Sequence, residues 1–293
     1  MAIFNSNWSK FILISTFLLF LALIVIYKNP IKRMVKRIMP TGPVVVLKNP
    51  PAADGIKIIF FHHSTGKAIW DGGVFEWLVQ FRNKKNKNYY IVEQEFPKEL
   101  GNYPYDYWNI WVNNQGDKPY KDEPTLEMIT RIYDIIILKH CFPVSDIEDD
   151  INRPDIESDE KRIENYKLQY EALKNKMHQY PDNKFIIWTG AARVKLSTTE
   201  ANAKRAKSFF DWVGNVWDEK GDNIFLWDFY TLECEGGIYL KDEYASSPYD
   251  PHPNESFSKK VSPLFCQRIV DVIEDKGDSS NITGENGIKK QFK

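Results

Sequence analysis

The sequence predicts an α/β fold, a three-layer αβα sandwich around a mainly parallel five-stranded sheet. Five short, nearly continuous apolar runs recur between residues 56 and 275, and segments with helical periodicity separate them. Such runs are typical of strands buried on both faces, and a parallel pair needs a crossover that is usually a helix. The 43% apolar content, with 14% aromatic residues, supplies a sizeable core for one domain of this length.

The predicted strands are 57–62, 89–94, 134–139, 184–189 and 223–229. The clearest predicted helix is 160–179, in which one apolar stripe contains Ile163, Tyr166, Tyr170, Leu173 and Met177. Residues 201–219 and 256–274 also show a helical pattern, and Thr198 and Thr199 are candidate caps of the first. Functional groups of such a sheet gather where the strands end, at their carboxyl edge.

The segment Phe11–Tyr27 predicts one transmembrane helix before the sheet domain. Its 17 residues carry no charge, no Pro and no Gly, and no small-residue cleavage site follows. We therefore expect a single-pass membrane protein with an N-terminal tail and anchor over 1–28. A basic juxtamembrane linker over 29–55, a catalytic domain over 56–275 and a disordered polar tail over 276–293 complete the organisation.

The charges beside this span bear on the side of the membrane that the domain occupies. Lys28, Lys32, Arg33, Lys36 and Arg37 follow the span, and this excess favours the cytoplasmic side. The amphipathic segment 31–39 could lie in the lipid interface and weaken that signal. Sidedness therefore stays open, with the charge rule favouring the cytoplasm.

Composition excludes several classes of function. With 39 basic and 40 acidic residues the net charge is -1, so we expect no nucleic-acid partner. Cys141, Cys234 and Cys266 are too few and too far apart for a disulfide framework or a zinc site. No cofactor is expected either.

The first predicted strand runs directly into His62-His63-Ser64-Thr65-Gly66. A serine on such a strand-to-helix turn is held rigidly near backbone amides that can stabilise an oxyanion, with Gly66 permitting a tight bend. The alternative role for Ser64 is an ordinary helix N-cap.

The second candidate motif is Asp250-Pro251-His252-Pro253-Asn254, on a loop before the last predicted helix. A serine nucleophile needs a base, and the base needs a carboxylate that fixes its tautomer. Asp250 and His252 can supply both on one Pro-stiffened loop. The alternative is a plain turn, since Asp, Pro and Asn are turn residues.

A first-strand serine with an Asp-x-His-Pro-Asn loop before the last helix resembles the SGNH (GDSL-like) hydrolase superfamily, which has a flavodoxin-like sheet. The chain is more specifically similar to a divergent branch with HHS-x-G in place of GDS. That branch has a Lys-x-Cys-x-Pro segment after strand three, matched by 139–143, and Trp-Thr-Gly ends strand four at 188–190. The resemblance covers roughly residues 56–274.

The resemblance implies Ser64 as nucleophile, His252 as base and Asp250 as the residue that orients the base. It also implies an envelope-facing role, against the charge rule. The usual Asp lies three residues before His, where Tyr249 stands here, and the GxND block is absent. Because the GxND block is absent, residues outside it are the candidates for oxyanion donors and for the lining of the pocket. The candidates are Gly66, Asn109 (or Gly101-Asn102), Lys139, His140 and Cys141, with His63 and Thr189 as further pocket-lining residues.

Other interpretations of these residues have less support. A metal site is not expected, because His62 and His63 would point to opposite faces of a strand. Cys141 could be a nucleophile, although a strand-end Cys is more often a small buried hydrophobe. The aromatic loop Tyr103–Trp111 could either stack on a carbohydrate or cap the sheet.

The expected function is that of a membrane-anchored serine esterase acting on O-acyl esters, above all acetyl esters, of a carbohydrate or lipid. The alternatives are an O-acyltransferase on a cell-envelope polysaccharide and a non-catalytic, SGNH-like glycan-binding module. The intact Ser64, His252 and Asp250 set favours chemistry, whereas the missing GxND block favours binding alone.

Overall fold

The computed structural model describes residues 47–49, 54–98 and 101–285. A five-stranded sheet lies at the centre, and every neighbouring pair of its strands is parallel. Its strands are β1 (Ile56–His62), β2 (Tyr89–Glu95), β3 (Ile135–Leu138), β4 (Lys184–Trp188) and β5 (Ile224–Trp227). In space they follow the order β2-β1-β3-β4-β5, so the five predicted strands and their parallel arrangement are confirmed.

The helices are α1 (Ser64–Asp71), α2 (Val74–Lys85), α3 (Pro104–Trp108), α4 (Leu126–Thr130), α5 (Ile163–Met177), α6 (Glu200–Trp212), α7 (Phe229–Cys234) and α8 (Glu255–Ile273). Short 3-10 helices lie at Phe142–Ser145 and Lys195–Ser197, and π-helical turns at Asn109–Asn113 and Val213–Trp217. The three helices predicted from periodicity correspond to α5, to α6 with the π-turn after it, and to α8.

Side-chain alternation along the strands divides the core into two layers. Ile58 and Phe60 of β1 face the layer formed by α1, α2 and α8. Ile59 and Phe61 face the opposite layer, which contains α5 and α6. All four are fully buried, and each buried aliphatic or aromatic side chain contributes about 1.5–3 kcal/mol. The three-layer sandwich is thus present as predicted.

The apolar stripe of α5 packs on its layer as its spacing predicts. Tyr166, Tyr170, Leu173 and Met177 are buried against the sheet. Thr199 caps helix α6: its hydroxyl accepts the Asn202 N–H at 3.1 Å, so this predicted cap is present. The cap satisfies a backbone donor that the first helical turn leaves free.

A two-stranded antiparallel hairpin lies outside the main sheet. It pairs β6 (Ala245–Ser247) with β7 (Asp250–Pro253), directly before α8. The loop that the sequence predicts before the last helix is therefore a short strand.

The predicted disordered tail differs from the structure over residues 276–285. The Trp227 indole donates to the Thr283 carbonyl at 3.1 Å, and the Arg268 guanidinium donates to the Gly277 carbonyl at 2.6 Å. These two contacts tie the segment to β5 and α8, because buried indole and guanidinium donors need acceptors. Residues 286–293 lie outside the described residues.

The predicted anchor at Phe11–Tyr27 also lies outside the described residues, as does most of the linker. Within 47–49, 54–98 and 101–285, no helix combines the length and the apolarity that crossing a bilayer requires.

Candidate active site

Ser64 is the first residue of α1, immediately after β1 and the extended residue His63. It is exposed, whereas Thr65 and Gly66 beside it are buried. The positive end of the α1 dipole lies at this serine, and the first N–H groups of a helix lack acceptors within it. Ser64 therefore presents its hydroxyl to solvent at a place suited to developing negative charge.

Gly66 serves packing rather than the tight bend that the sequence analysis expected. It lies within helical α1, and a Cβ on it would lie 2.3 Å from His62 Cβ. A side chain at this position would push α1 away from the end of β1. The absence of a side chain lets Ser64 lie close to the sheet edge.

The β6–β7 hairpin carries Asp250 and His252, and Asn254 holds it in place. The Asn254 side chain accepts the Phe257 N–H at 2.9 Å and so caps α8. Its amide also donates to the carbonyls of Glu243 at 2.8 Å and Ala245 at 3.2 Å. One side chain thus joins β6, the end of β7 and the start of α8. Asn after Pro at a helix start is a recognisable cap signal in the sequence.

Ser64, His252 and Asp250 form one chain of hydrogen bonds. His252 Nε2 lies 2.7 Å from Ser64 Oγ, and His252 Nδ1 lies 2.5 Å from Asp250 Oδ1. With the ring proton on Nδ1, the imidazole donates to Asp250 and accepts from Ser64. Asp250 Oδ1 also accepts the backbone N–H of His252 at 3.0 Å.

The Asp250 carboxylate is held in its charged form. Burial raises the pKa of Asp250. The hydrogen bonds from the backbone and ring N–H groups of His252, with the charge of His252, outweigh burial, so the pKa of Asp250 is lower than usual. Asp250 can orient His252 from only two residues away because its carboxylate folds back onto the backbone of the strand that carries both residues. Chemically, this arrangement can pull the Ser64 proton onto His252 and stabilise the resulting imidazolium.

Cys141 lies directly beside Ser64. Its Sγ is 3.4 Å from Ser64 Oγ and 3.5 Å from Thr65 Oγ1. β3 pairs with β1, so the segment after β3 lies at the same sheet edge as Ser64. β1 and β3 therefore end side by side, next to Ser64.

Asn102 holds the Cys141 backbone, whereas Asn109 does not lie at the site. Both the side-chain and the backbone oxygen of Asn102 accept the Cys141 N–H. The Asn109 side chain instead accepts from Asn113 at 3.1 Å and Asn114 at 2.9 Å, within its own π-turn. The oxygen of Asn109 is thus engaged within its own turn, and no contact in the described part of the chain brings this side chain to Ser64.

The Phe142 ring packs against His252 on one hand and Arg193 on the other. The Phe142 ring meets the His252 imidazole edge to face, with 5.2 Å between centroids. The Arg193 guanidinium also lies 4.8 Å from the Phe142 ring centroid, and it pairs with Asp146. Phe142 thereby restricts the rotation of His252. No sequence motif identifies Phe142, since its role depends on this tertiary contact.

His63 lies next to the serine but is already engaged. Its Nε2 contacts the Pro97 carbonyl, and burial lowers its pKa despite that hydrogen bond and nearby Glu95. Its imidazole therefore links α1 to the segment after β2. No contact in the described part of the chain makes it a partner of Ser64.

Lys139 and Glu233 are fully buried titratable groups behind the site. Within the described residues the Lys139 ammonium has no hydrogen-bond partner, and burial lowers its pKa. Burial raises the pKa of Glu233 to about 8, although its carboxylate accepts the Ala192 N–H at 2.6 Å. Lys139 is thus near the site but hidden from substrate. Glu233 has no signal in the sequence.

His140 faces away from Ser64, against expectation. Its ring packs on Tyr107 and Tyr170, with centroids 4.8 Å and 5.7 Å away, in the layer that contains α5. Burial lowers its pKa to about 3, so it is neutral. Consecutive residues of an extended segment point to opposite sides, which sends Cys141 to the site and His140 to the core.

Thr189 also lies elsewhere. Its hydroxyl donates to Asp228 at 2.7 Å and accepts the Tyr230 N–H at 3.1 Å. It thus joins the ends of β4 and β5, beside a cleft of about 220 Å³ that Asp228 and Thr231 also line. The expectation that Thr189 lines the Ser64 pocket is not met.

The aromatic loop between β2 and α4 mainly caps the sheet. Tyr107, Trp108 and Trp111 are at most 5% exposed and belong to the core. Burial of this extent leaves these rings unavailable for stacking on a ligand. Among the aromatic residues of 103–111, Tyr103 and Tyr105 retain partly exposed rings.

No protein-family model matches the sequence, and no curated protein is significantly similar to it. Among solved structures, the chain is similar to an acetyl xylan esterase, with 15% identity and a TM-score of 0.44 over 71% of this chain and 96% of that one. It is also similar to a gut microbial diltiazem-metabolizing enzyme, with 11% identity and a TM-score of 0.43 over 80% of this chain and 49% of that one. A third similar structure is the periplasmic domain of a lipopolysaccharide acetyltransferase from Salmonella ser. Paratyphi A, with 12% identity and a TM-score of 0.39 over 73% of this chain and 82% of that one. At TM-scores below 0.5, these likenesses carry no functional inference.

Proposed function

We propose that the chain is a serine esterase of the SGNH type that hydrolyses O-acyl esters, above all acetyl esters, of a carbohydrate or lipid. The observation that supports this proposal is the hydrogen-bond chain from Ser64 Oγ through His252 to Asp250. The serine and the His252–Asp250 pair come from distant parts of the sequence. Together they supply a nucleophile, a base and a carboxylate that orients the base, in that order.

In the proposed first half-reaction, Ser64 Oγ attacks the ester carbonyl while its proton moves to His252 Nε2. The Ser64 N–H, at the free start of α1, donates to the oxyanion that forms. The intermediate then collapses, the ester C–O bond breaks, and His252 protonates the departing alcohol. An acyl group remains on Ser64.

In the second half-reaction, water attacks the acyl-serine carbonyl and His252 takes the proton of that water. The intermediate releases the acid, and Ser64 Oγ regains a proton from His252. The His252 side chain is 31% exposed and that of Asp250 47%, so water reaches this site without a conformational change. That access favours hydrolysis over transfer, which needs water excluded.

The space beside the nucleophile supports a short acyl group. Cys141 Sγ lies 3.4 Å from Ser64 Oγ on one side, and the Phe142 ring closes against His252. These two side chains restrict the space beside the serine hydroxyl, which favours a short acyl group over a long one. We therefore propose acetyl esters as the preferred substrates.

Attachment to a membrane through Phe11–Tyr27 belongs to this proposal as well. It is supported by the uncharged apolar run and by the cluster of basic residues that follows it. In this arrangement the esterase domain acts on esters close to the bilayer surface.

Labelling of the purified chain with a fluorophosphonate probe tests the function, since such probes react with activated serines. We expect stoichiometric labelling on Ser64 and turnover of p-nitrophenyl acetate. Ser64→Ala should lose both, and Ser279→Ala, an exposed serine far along the chain, should lose neither. A folded wild-type chain that resists labelling would support the binding-module alternative. Labelling with acyl release only to a sugar acceptor would support the acyltransferase.

A further inference from the structure

Arg193 and Asp146 form an ion pair near the catalytic histidine that the mechanism above does not use. Asp146 follows the 3-10 helix after β3, and Arg193 lies on the segment after β4, so both stand at the sheet edge that carries the catalytic serine. Arg193 Nη2 donates to Asp146 Oδ2. The two segments are also tied by the Ser145 hydroxyl, which donates to the Ala191 carbonyl at 2.6 Å. The ion pair is therefore held in place by the fold around it.

One aromatic ring separates this ion pair from the base. The Phe142 ring contacts the His252 imidazole with 5.2 Å between centroids, and the Arg193 guanidinium lies 4.8 Å from the same Phe142 centroid. In the proposed mechanism His252 Nε2 gives its proton to the departing alcohol, so the alcohol part of the substrate lies next to His252 and Phe142. The ion pair then faces groups that are close neighbours of the ester oxygen.

Both members of the pair keep hydrogen-bonding capacity for a ligand. The Asp146 side chain is 33% exposed and that of Arg193 16%. Within the described residues the guanidinium hydrogen-bonds through Nη2 alone, and its Nε has no partner, although a guanidinium carries five N–H donors. A planar set of donors beside a carboxylate matches two neighbouring hydroxyl groups, of which one accepts from Arg193 and the other donates to Asp146.

The surface beyond the pair is polar and aromatic. Lys161 interacts electrostatically with both Asp146 and Arg193, and its ammonium lies 5.1 Å from the centroid of the partly exposed Tyr103 ring. An alkyl chain along this path would remove water from a carboxylate, a guanidinium and an ammonium without replacing their hydrogen bonds, and this costs free energy. A sugar replaces those hydrogen bonds with its own hydroxyl groups. The surface therefore favours a carbohydrate over a lipid.

We propose that Arg193 and Asp146 bind the sugar that carries the ester, and that the substrate is accordingly an acetylated carbohydrate. This inference rests on the proposed esterase function. Asp146 accepts from one sugar hydroxyl, Arg193 donates to its neighbour, and the Phe142 ring lies beneath the sugar ring. These contacts position the ester oxygen at His252 Nε2. A lipid alcohol or p-nitrophenol has no such pair of hydroxyl groups, so its acetyl ester does not use the ion pair.

Acetate release from three esters tests this role. The first substrate is a mixture of the mono-O-acetyl esters of methyl glucoside, which keep free hydroxyl groups. The others are glucose pentaacetate, which has no free hydroxyl group, and p-nitrophenyl acetate. Asp146→Asn removes the charge that strengthens the hydrogen bond to the sugar and should lower kcat/KM for the mono-acetyl esters, relative to p-nitrophenyl acetate, about tenfold. The relative value for glucose pentaacetate should not change. Arg193→Lys keeps the charge but loses the planar set of donors, and it should have the same selective effect.

Asp117→Asn is the matched control. Asp117 also pairs with an arginine, but that arginine is Arg131, which precedes β3 and lies toward the opposite end of the sheet. This variant should keep the wild-type ratios. If Asp146→Asn changes the rates for all three esters by the same factor, the ion pair only supports the fold around His252, and the inference is overturned. A wild type with a higher kcat/KM for hexadecyl acetate in detergent micelles than for the mono-acetyl sugars also overturns it.

Binding to a chain without its nucleophile separates this inference from the proposed function. Saturation-transfer NMR on Ser64→Ala should detect the mono-acetyl esters of methyl glucoside, and adding Asp146→Asn should weaken that binding about tenfold. If the wild type hydrolyses none of the esters, the proposed function fails, and the NMR result still decides whether the ion pair binds a sugar. No detectable binding to Ser64→Ala, or binding that Asp146→Asn leaves unchanged, overturns the inference whatever the activity.

Discussion

His252 Nε2 lies 2.7 Å from Ser64 Oγ, although 188 positions separate the two residues in the chain. The contact joins the start of α1 to the hairpin before α8, and no local motif could supply it. The first three of the following predictions depend on this contact or on the elements that hold it.

Ser64→Ala should reduce esterase activity to below about 1% of wild type at unchanged melting temperature. The serine is exposed, and its loss removes one surface hydroxyl without leaving a cavity. Steady-state kinetics with calorimetry on the same preparation checks both parts. Activity above that level in a fully folded variant would mean that another residue is the nucleophile, with Cys141 as the first to test.

Asp250→Asn should lower kcat by roughly 10⁴-fold while the hairpin stays in place. The amide of the new residue would donate to Nδ1, which moves the ring proton to Nε2 and removes the acceptor for Ser64. Asp242→Asn, an exposed change in the segment before β6, serves as the control and should have no effect. A loss of only a few-fold for Asp250→Asn would show that some other group orients His252.

Asn254→Ala should destabilise the protein by about 1 kcal/mol or more through the lost cap of α8. It should also reduce kcat, because the same side chain holds β6 next to the strand that carries His252. Urea denaturation and kinetics measure the two effects. Thr199→Ala removes the cap of α6 in the same way and should destabilise without reducing kcat. Equal kinetic effects of the two variants would contradict this coupling.

Glu233→Gln should make stability less sensitive to rising pH. Burial raises the pKa of Glu233 from its ordinary value near 4.5 to about 8. The stability that its protonated form contributes is fully present below pH 4.5 and is lost as the pH rises through 8. The amide keeps the acceptor for the Ala192 N–H and never ionises, so the variant should have the higher melting temperature at pH 8.5. Glu171→Gln, an exposed change on α5, is the control and should show the same pH dependence of melting temperature as the wild type. A Glu233→Gln variant that also follows the wild type would contradict the prediction.

A C-terminal alkaline phosphatase fusion reports the side of the membrane on which the domain lies. The basic residues after Phe11–Tyr27 favour the cytoplasm, so we expect little phosphatase activity in intact bacterial cells. A matched fusion in which Lys32, Arg33, Lys36 and Arg37 are replaced by Gln should gain activity, since the retention signal is weakened. Strong activity of the unmodified fusion would place the domain outside and overturn the charge argument.

Much of the architecture follows from the sequence because it depends on short-range patterns. Residues 135–138 read Ile-Ile-Ile-Leu, and a short run with no polar face is typical of a strand buried on both sides. The Asp250–His252 pair is local as well, since two residues of one strand suffice to bring a carboxylate to its own imidazole. The first-strand serine could likewise be found from the apolar run that ends beside it.

The neighbours of Ser64 were decided by tertiary structure. Lys139, His140 and Cys141 follow the same strand, yet their alternation sends the thiol to the serine and the imidazole to the core. The buried ammonium has no hydrogen-bond partner among the residues that the structure describes. Which side each takes depends on the register of β3 against β1 and on how Asn102 holds the backbone. A sequence specifies a strand through the burial of its own residues. The contents of a site at the sheet edge depend on the order and register in which separate strands pair, and those are set by packing between segments far apart in the chain.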